Sequence, residues 1–259
     1  MPVRHIDWPQ AWRIIASRYP PIALFERLTA DTAVWDALIA LEQLTNPRVR
    51  DEVGEVALVL PAERIAGPGA SWVMAAFTHL NRKGSRFSDG TFGVYYAAAE
   101  LETAIAETVY HFEAFARDSN DPPRMEDMRV LVGSVSEDFE DVAALAEPQR
   151  SRMLDPDSYA ESQAYARQLR DNGAAGIVYP SVRWPAGTCI GAFRPRAVSI
   201  PRQERHLKYR WNGEQVDRYF DYQRDIWVAL TPMPPVRPAP QPTAQAYKEA
   251  RRQLASPRS

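Results

Sequence analysis

A single cysteine, Cys189, is present in the 259 residues, so no disulfide forms within the chain. Histidine is scarce as well, at four residues, and no Cys and His cluster falls at metal-ligand spacing, so no metal site is expected. No stretch approaches the roughly 20 apolar residues that span a bilayer. The first twelve residues carry charges and two prolines but no apolar core, and do not read as a signal peptide. An excess of either charge is missing too. The 31 basic and 33 acidic side chains leave a formal net charge of −2, which gives no basis for broad binding to nucleic acid or to a membrane surface. The cytoplasm is the simplest compartment for such a chain. Cys189 reads as a small buried hydrophobe.

What is present is ordinary globular usage, 45% hydrophobic and 25% charged, in a chain long enough for a sizeable core. Residues 14–44 are mostly helix-compatible, broken by Pro20-Pro21, with Trp35, Leu38, Ile39, Leu41 and Leu44 near helical spacing. Residues 56–60 are a short apolar run that suits a strand. A helix is expected over 71–80, a polar loop over 81–93 and a strand over 92–98. Residues 101–117 form the clearest helix, with an apolar stripe of Leu101, Ile105, Thr108, Phe112 and Phe115 at steps of three and four. Further on come a strand at 129–135, a helix at 159–172 closed by Gly173, and short strands at 176–179 and 188–193. Residues 232–243 are proline-rich and read as an extended linker, followed by a short basic tail. The organisation expected is one domain over 1–231 and a tail over 232–259. With no regular βαβ rhythm, the fold class is α+β.

Four places carry side chains suited to chemistry. Arg86 lies among small residues in Gly84-Ser85-Arg86-Phe87-Ser88-Asp89-Gly90, where a guanidinium fork and backbone N–H groups meet a phosphate closely. Tyr95 and Tyr96 follow on a strand, so one ring faces the core and the other the opposite side. Glu107 lies off the apolar stripe of the strong helix, on one face with Thr103 and His111. Ser181 follows an apolar run and a proline, at a strand end. Taken singly, each fits a plainer reading: a surface arginine, packing tyrosines, a solvated helix face, a turn serine. No G-x-S-x-G elbow surrounds Ser181, which leaves a serine hydrolase using Ser181 and His111 poorly supported.

Taken together and in order, the segments GSRF, GVYYAA, TAIAETVYH and GIVYPS resemble the RES family of bacterial toxins, named for an Arg, a Glu and a Ser. The matching positions are Arg86, Glu107 and Ser181. The family tyrosine matches Tyr96, and its helix histidine matches His111. An early arginine after an aromatic residue matches Arg27 more loosely, because Glu26 intervenes. The loop departs from the common G-G-R-W-N-x-P-G form, with Phe87 for Trp and neither the Asn nor the Pro. The resemblance spans about residues 23–196. The stretches between Leu28 and Leu80 and after Phe193 would then be elaborations, the first one helical.

The resemblance implies an ADP-ribosyltransferase-like split antiparallel sheet flanked by helices, clasping NAD as substrate. It implies cleavage of the nicotinamide–ribose bond with water or phosphate as acceptor, as an NAD glycohydrolase or phosphorylase. A protein mono-ADP-ribosyltransferase is the alternative, and a non-catalytic binding module of the same fold a second one. By the same resemblance, Arg86 and Arg27 hold the pyrophosphate, Tyr96 stacks on nicotinamide and Glu107 faces the ribose. Ser181 bonds the ribose or a phosphate oxygen, and His111 orients Glu107. The partner implied is a cognate antitoxin, a helix-turn-helix DNA-binding protein that blocks the cleft.

Overall fold

The computed structural model describes residues 2–19, 31–35, 37–40 and 54–230. Among them, eight strands form one mixed but mainly antiparallel sheet, with helices on both faces, an α+β architecture. In chain order the strands are β1 (Val3–Ala16), β2 (Tyr95–Ala98), β3 (Arg124–Asp141), β4 (Gly176–Pro180), β5 (Thr188–Ala192), β6 (Arg202–Trp211), β7 (Val216–Asp221) and β8 (Ile226–Ala229). Their spatial order is β1-β2-β5-β4-β3-β6-β7-β8, and β1 pairs with β3 as well as β2. The first five strands in that order therefore close on themselves, and β6, β7 and β8 extend the sheet outward from β3. Only β3 and β4 run parallel.

Alternation along the short strands sorts side chains to two cores. On one face Ile177, Tyr179 and Cys189 pack with Ala104, Ile105, Val109 and Phe112 of helix α2 (Leu101–Asp118). Tyr165, Ala166 and Leu169 of a later helix (Ala160–Asp171) complete that core. On the other face Tyr95, Ala97, Val178, Ile190 and Ala192 pack with Val73, Met74 and Phe77 of helix α1 (Ala70–Thr78). Between α2 and that later helix lies a five-residue helix, α3 (Gln149–Met153), so the later helix is α4. It ends as Gly173 suggests. Gly173 has φ +83°, its N–H meets the Arg170 carbonyl, and the Ala174 N–H meets that of Leu169, a Schellman closure. Cys189 is 3% exposed and lies in the first core, as a small buried hydrophobe should.

The structure departs from the sequence pattern at several places. The helix-compatible segment from residue 14 begins inside β1, so the chain enters the fold as a core strand, and among the described residues the first helical turn is Thr32–Val34. β1 escapes a simple pattern because its register shifts between Trp8 and Ala11, the place where Pro9 is tolerated. Residues 56–58 form a 3-10 turn instead of a strand, with Val56 and Val59 buried, the Val59 carbonyl accepting from buried Arg64 and the Val56 carbonyl from Arg64 and from the Val59 N–H. Phe115, assigned to the apolar stripe, is 49% exposed. The buried surface of α2 is wider than one stripe and takes in Thr103, Ala106 and Tyr110, so the helix is held from two sides. β6, taken as elaboration, pairs with β3 along nearly its whole length. Residues 41–53 and 231–259, with Leu41, Leu44 and the proline-rich tail, lie outside the described residues.

Candidate active site

The register explains why distant segments meet. Ala98 pairs with Cys189, and Cys189 with Tyr179, so the end of β2, the end of β4 and the start of β5 share one end of the sheet. Helix α2 leaves β2 there after two residues, and the β4–β5 connection, residues 181–187, turns there. Gly187 fixes the approach: a Cβ on it would stand 2.5 Å from Thr103 Oγ1 in the first turn of α2. The connection therefore lies against α2 one turn below Glu107.

That packing brings two sequence-predicted residues into contact. Ser181 Oγ donates to Glu107 Oε1 at 2.6 Å, a length suited to a hydroxyl bonded to a carboxylate. The same oxygen accepts the N–H groups of Arg183 at 3.1 Å and Trp184 at 3.0 Å, which hold it in place. Burial raises the Glu107 carboxyl above its ordinary range, while Ser181, Arg86 and Arg183 favour its ionised form.

Arg86 reaches the same place from a loop tied on every side. Gly84 takes φ +76°, and a Cβ there would meet the Ser88 carbonyl at 2.6 Å. Ser85 and Ser88 pair across the turn, placing Arg86 and Phe87 at its tip. From α4, Ser162 Oγ donates to the Arg86 carbonyl at 2.6 Å and Gln163 Nε2 to the Ser85 carbonyl at 2.9 Å. From β2, the Tyr96 hydroxyl accepts the Phe87 N–H at 3.0 Å and shares a 2.8 Å bond with Ser85 Oγ. Phe87 is fully buried and meets the edge of Tyr179. Aimed by this frame, the Arg86 guanidinium stacks on Tyr159 and donates through Nη1 to the carbonyls of Met153 and Asp155. Tyr95 and Tyr96 divide between the two cores, as alternation requires. Burial pushes the Tyr96 phenol up to about 12, so it is neutral at ordinary pH.

His111 shares the Glu107 face of α2, but the hydrogen bond on Glu107 comes from Ser181, and His111 stands edge-on to Tyr110. Although water reaches its ring, protein surrounds it at longer range. That burial, with the cations Arg183 and Arg86, lowers its pKa to about 4. Arg27 lies outside the described residues. Three further side chains belong to the site without having been singled out. Arg183 lies 3.4 Å over the Tyr110 ring and donates to the Pro156 carbonyl, and Tyr110 bonds to Tyr159. Arg183 follows Ser181 by two residues and Tyr110 adjoins His111, the only sequence signals for them; Tyr159 had none. Among the described residues, no group of three or more His, Cys, Asp or Glu is placed to hold a metal.

The arrangement thus offers a partly buried carboxylate, a hydroxyl bonded to it, two guanidiniums and aromatic faces, a combination suited to an anionic substrate that develops positive charge near Glu107. The protein y4oC of Sinorhizobium fredii (strain NBRC 101917 / NGR234) is 30% identical over 211 residues, covering 82% of this chain and 86% of its own. A chain from the crystal structure of the M. tuberculosis MbcT–MbcA toxin–antitoxin complex is 12% identical, with a TM-score of 0.40 over 81% of this chain and 87% of that one. The RES domain model matches residues 61–212, well over half of the chain. The match holds Arg86, Tyr96, Glu107, His111 and Ser181, starts after Arg27, and runs through β6, beyond the residue-196 limit of the resemblance read from the sequence. On the extent of that match, this chain belongs to the RES domain family.

Proposed function

We propose that this protein is an NAD-consuming toxin that breaks the bond between nicotinamide and its ribose, with water or phosphate as acceptor. The observation that carries the reading is the 2.6 Å bond between Ser181 Oγ and Glu107 Oε1, flanked by Arg86 and Arg183. The nicotinamide of NAD is a cationic pyridinium that takes the bonding pair and leaves the ribose as a neutral pyridine, so its departure needs no general acid. The ribose carbon becomes oxocarbenium-like as the bond lengthens. An ionised carboxylate facing that carbon stabilises the transition state more than the ground state. Ser181 and the two arginines favour the ionised form of Glu107 against its burial, and the hydroxyl bonds to one carboxylate oxygen. Arg86 sits where a phosphate oxygen can replace a carbonyl partner, and Tyr96 both secures its loop and offers a ring face for nicotinamide. His111 stays neutral at physiological pH, which leaves no imidazolium to oppose the positive charge forming at the ribose.

Family membership adds the biological setting to the proposal: action on the cytoplasmic NAD pool by one catalytic unit within residues 1–231, restrained by a helix-turn-helix antitoxin that covers the cleft. Incubating the purified protein with NAD, with and without phosphate, and separating the products tests the reaction. Free nicotinamide with ADP-ribose identifies water as acceptor, and ADP-ribose 1″-phosphate identifies phosphate. Protein carrying a single added ADP-ribose would point to a transferase. No nicotinamide under any of these conditions, cell lysate included, would favour a binding module.

A further inference from the structure

Two arginines enter the cleft by the same device. Arg86 stacks on Tyr159, with 4.6 Å from guanidinium carbon to ring centre, and donates to the carbonyls of Met153 and Asp155. Arg183 stacks on Tyr110 at 3.4 Å and donates through Nη2 to the carbonyl of Pro156. The two tyrosines are bonded to each other. Both guanidiniums are thus held on adjoining rings and fastened to one short stretch of backbone, residues 153–156. The fastening partners are neutral carbonyls, which bind a guanidinium less strongly than a charged oxygen does. Two cations kept side by side on neutral partners suit a ligand that carries two linked anionic groups.

We propose that Arg183 is the second cation of the diphosphate site, working with Arg86 on the two phosphates of the NAD substrate. The inference rests on the proposed function for the identity of the ligand. On binding, Arg183 exchanges the Pro156 carbonyl for a phosphate oxygen and keeps its stack on Tyr110, which preserves the plane of the fork. The backbone N–H of Arg183 is also one of the two that hold Ser181 Oγ. One turn therefore links the grip on the diphosphate to the hydroxyl that orients Glu107, so Arg183 both binds and positions.

The test uses Glu107→Gln protein, chosen to bind NAD without consuming it, with and without Arg183→Ala. NAD is titrated calorimetrically into each, and nicotinamide riboside, which lacks both phosphates, serves as the control ligand. The expected result is NAD binding weaker by about 10- to 100-fold, the loss of one charge-assisted contact, with riboside binding unchanged. Arg183→Lys should recover only part of the loss, because an ammonium has no fork. Equal weakening of both ligands would mark Arg183 as structural, and unchanged or undetectable NAD binding would overturn the inference. Arg183-dependent NAD binding by a protein that releases no nicotinamide would sink the proposed reaction and leave this inference standing. Nicotinamide release with a KM for NAD indifferent to Arg183→Ala would do the reverse.

Discussion

Replacing Ser181 with alanine removes one oxygen that takes part in three hydrogen bonds: one given to Glu107 and two received from the N–H groups of Arg183 and Trp184. The bond to Glu107 matters most, because it favours the carboxylate over the acid. A hydrogen bond to a charged group contributes about 1.5–3 kcal/mol, which is about tenfold or more in the ionisation equilibrium of the carboxyl. The sign follows from the other influences. Burial, the largest of them, already raises the Glu107 pKa, and Ser181 opposes it. Without the hydroxyl, Glu107 stays protonated to higher pH. The acidic limb of the pH–rate profile for NAD cleavage should therefore move upward, and the plateau should fall because the carboxylate is no longer held. The two N–H groups sit near the rim, where water reaches them, so the fold should lose only about 1–2 kcal/mol. The assay is nicotinamide release followed from pH 4 to 9 in both proteins, beside a denaturant melt. An unmoved acidic limb would mean that water replaces the hydroxyl freely, and the argument for a sequestered Glu107 would fail.

Other consequences follow from the same geometry. Phe87→Ala empties a fully buried ring site against Tyr179 at the tip of the Arg86 loop, so it should destabilise the fold by about 3–5 kcal/mol and weaken NAD cleavage through the loop; a stability change below 1 kcal/mol by chemical denaturation would show that the loop is not anchored there. His111 should titrate near pH 4 by NMR. Because the fold lowers that pKa from 6.5, the stability it contributes is complete above about pH 6.5 and is lost as pH falls through about 4. A midpoint near 6.5 would contradict the enclosure described for the ring. In Tyr96→Phe the Phe87 N–H and Ser85 Oγ lose a shared partner, at a cost of roughly 1–3 kcal/mol, and the KM for NAD should rise more than kcat falls as Arg86 loses its aim.

The middle of the chain was legible because its signals are local. The glycines of the Arg86 loop, the tyrosine strand and the apolar spacing of α2 each act within a few residues, and the structure joins them in that order. The pairing of Glu107 with Ser181 was legible only through the family pattern, since the two are 74 residues apart and meet through strand register and the Gly187 contact. β1 was hidden by Pro9 and by a shift of register that breaks its alternation. β6 carries a local signal: Leu207, Tyr209 and Trp211 are buried while Lys208 and Arg210 between them are not. Arg183 stacks on Tyr110 and bonds to the carbonyl of Pro156, contacts that no spacing in the sequence encodes.

The central claim is that the Glu107 carboxylate drives cleavage of NAD, and Glu107→Gln tests it most directly. Glutamine keeps the shape and still accepts a hydrogen bond from Ser181, but carries no charge to face the ribose. Nicotinamide release by purified wild-type and variant protein should differ by at least about 100-fold, with matching melting curves. Equal rates from two equally folded proteins would contradict the account.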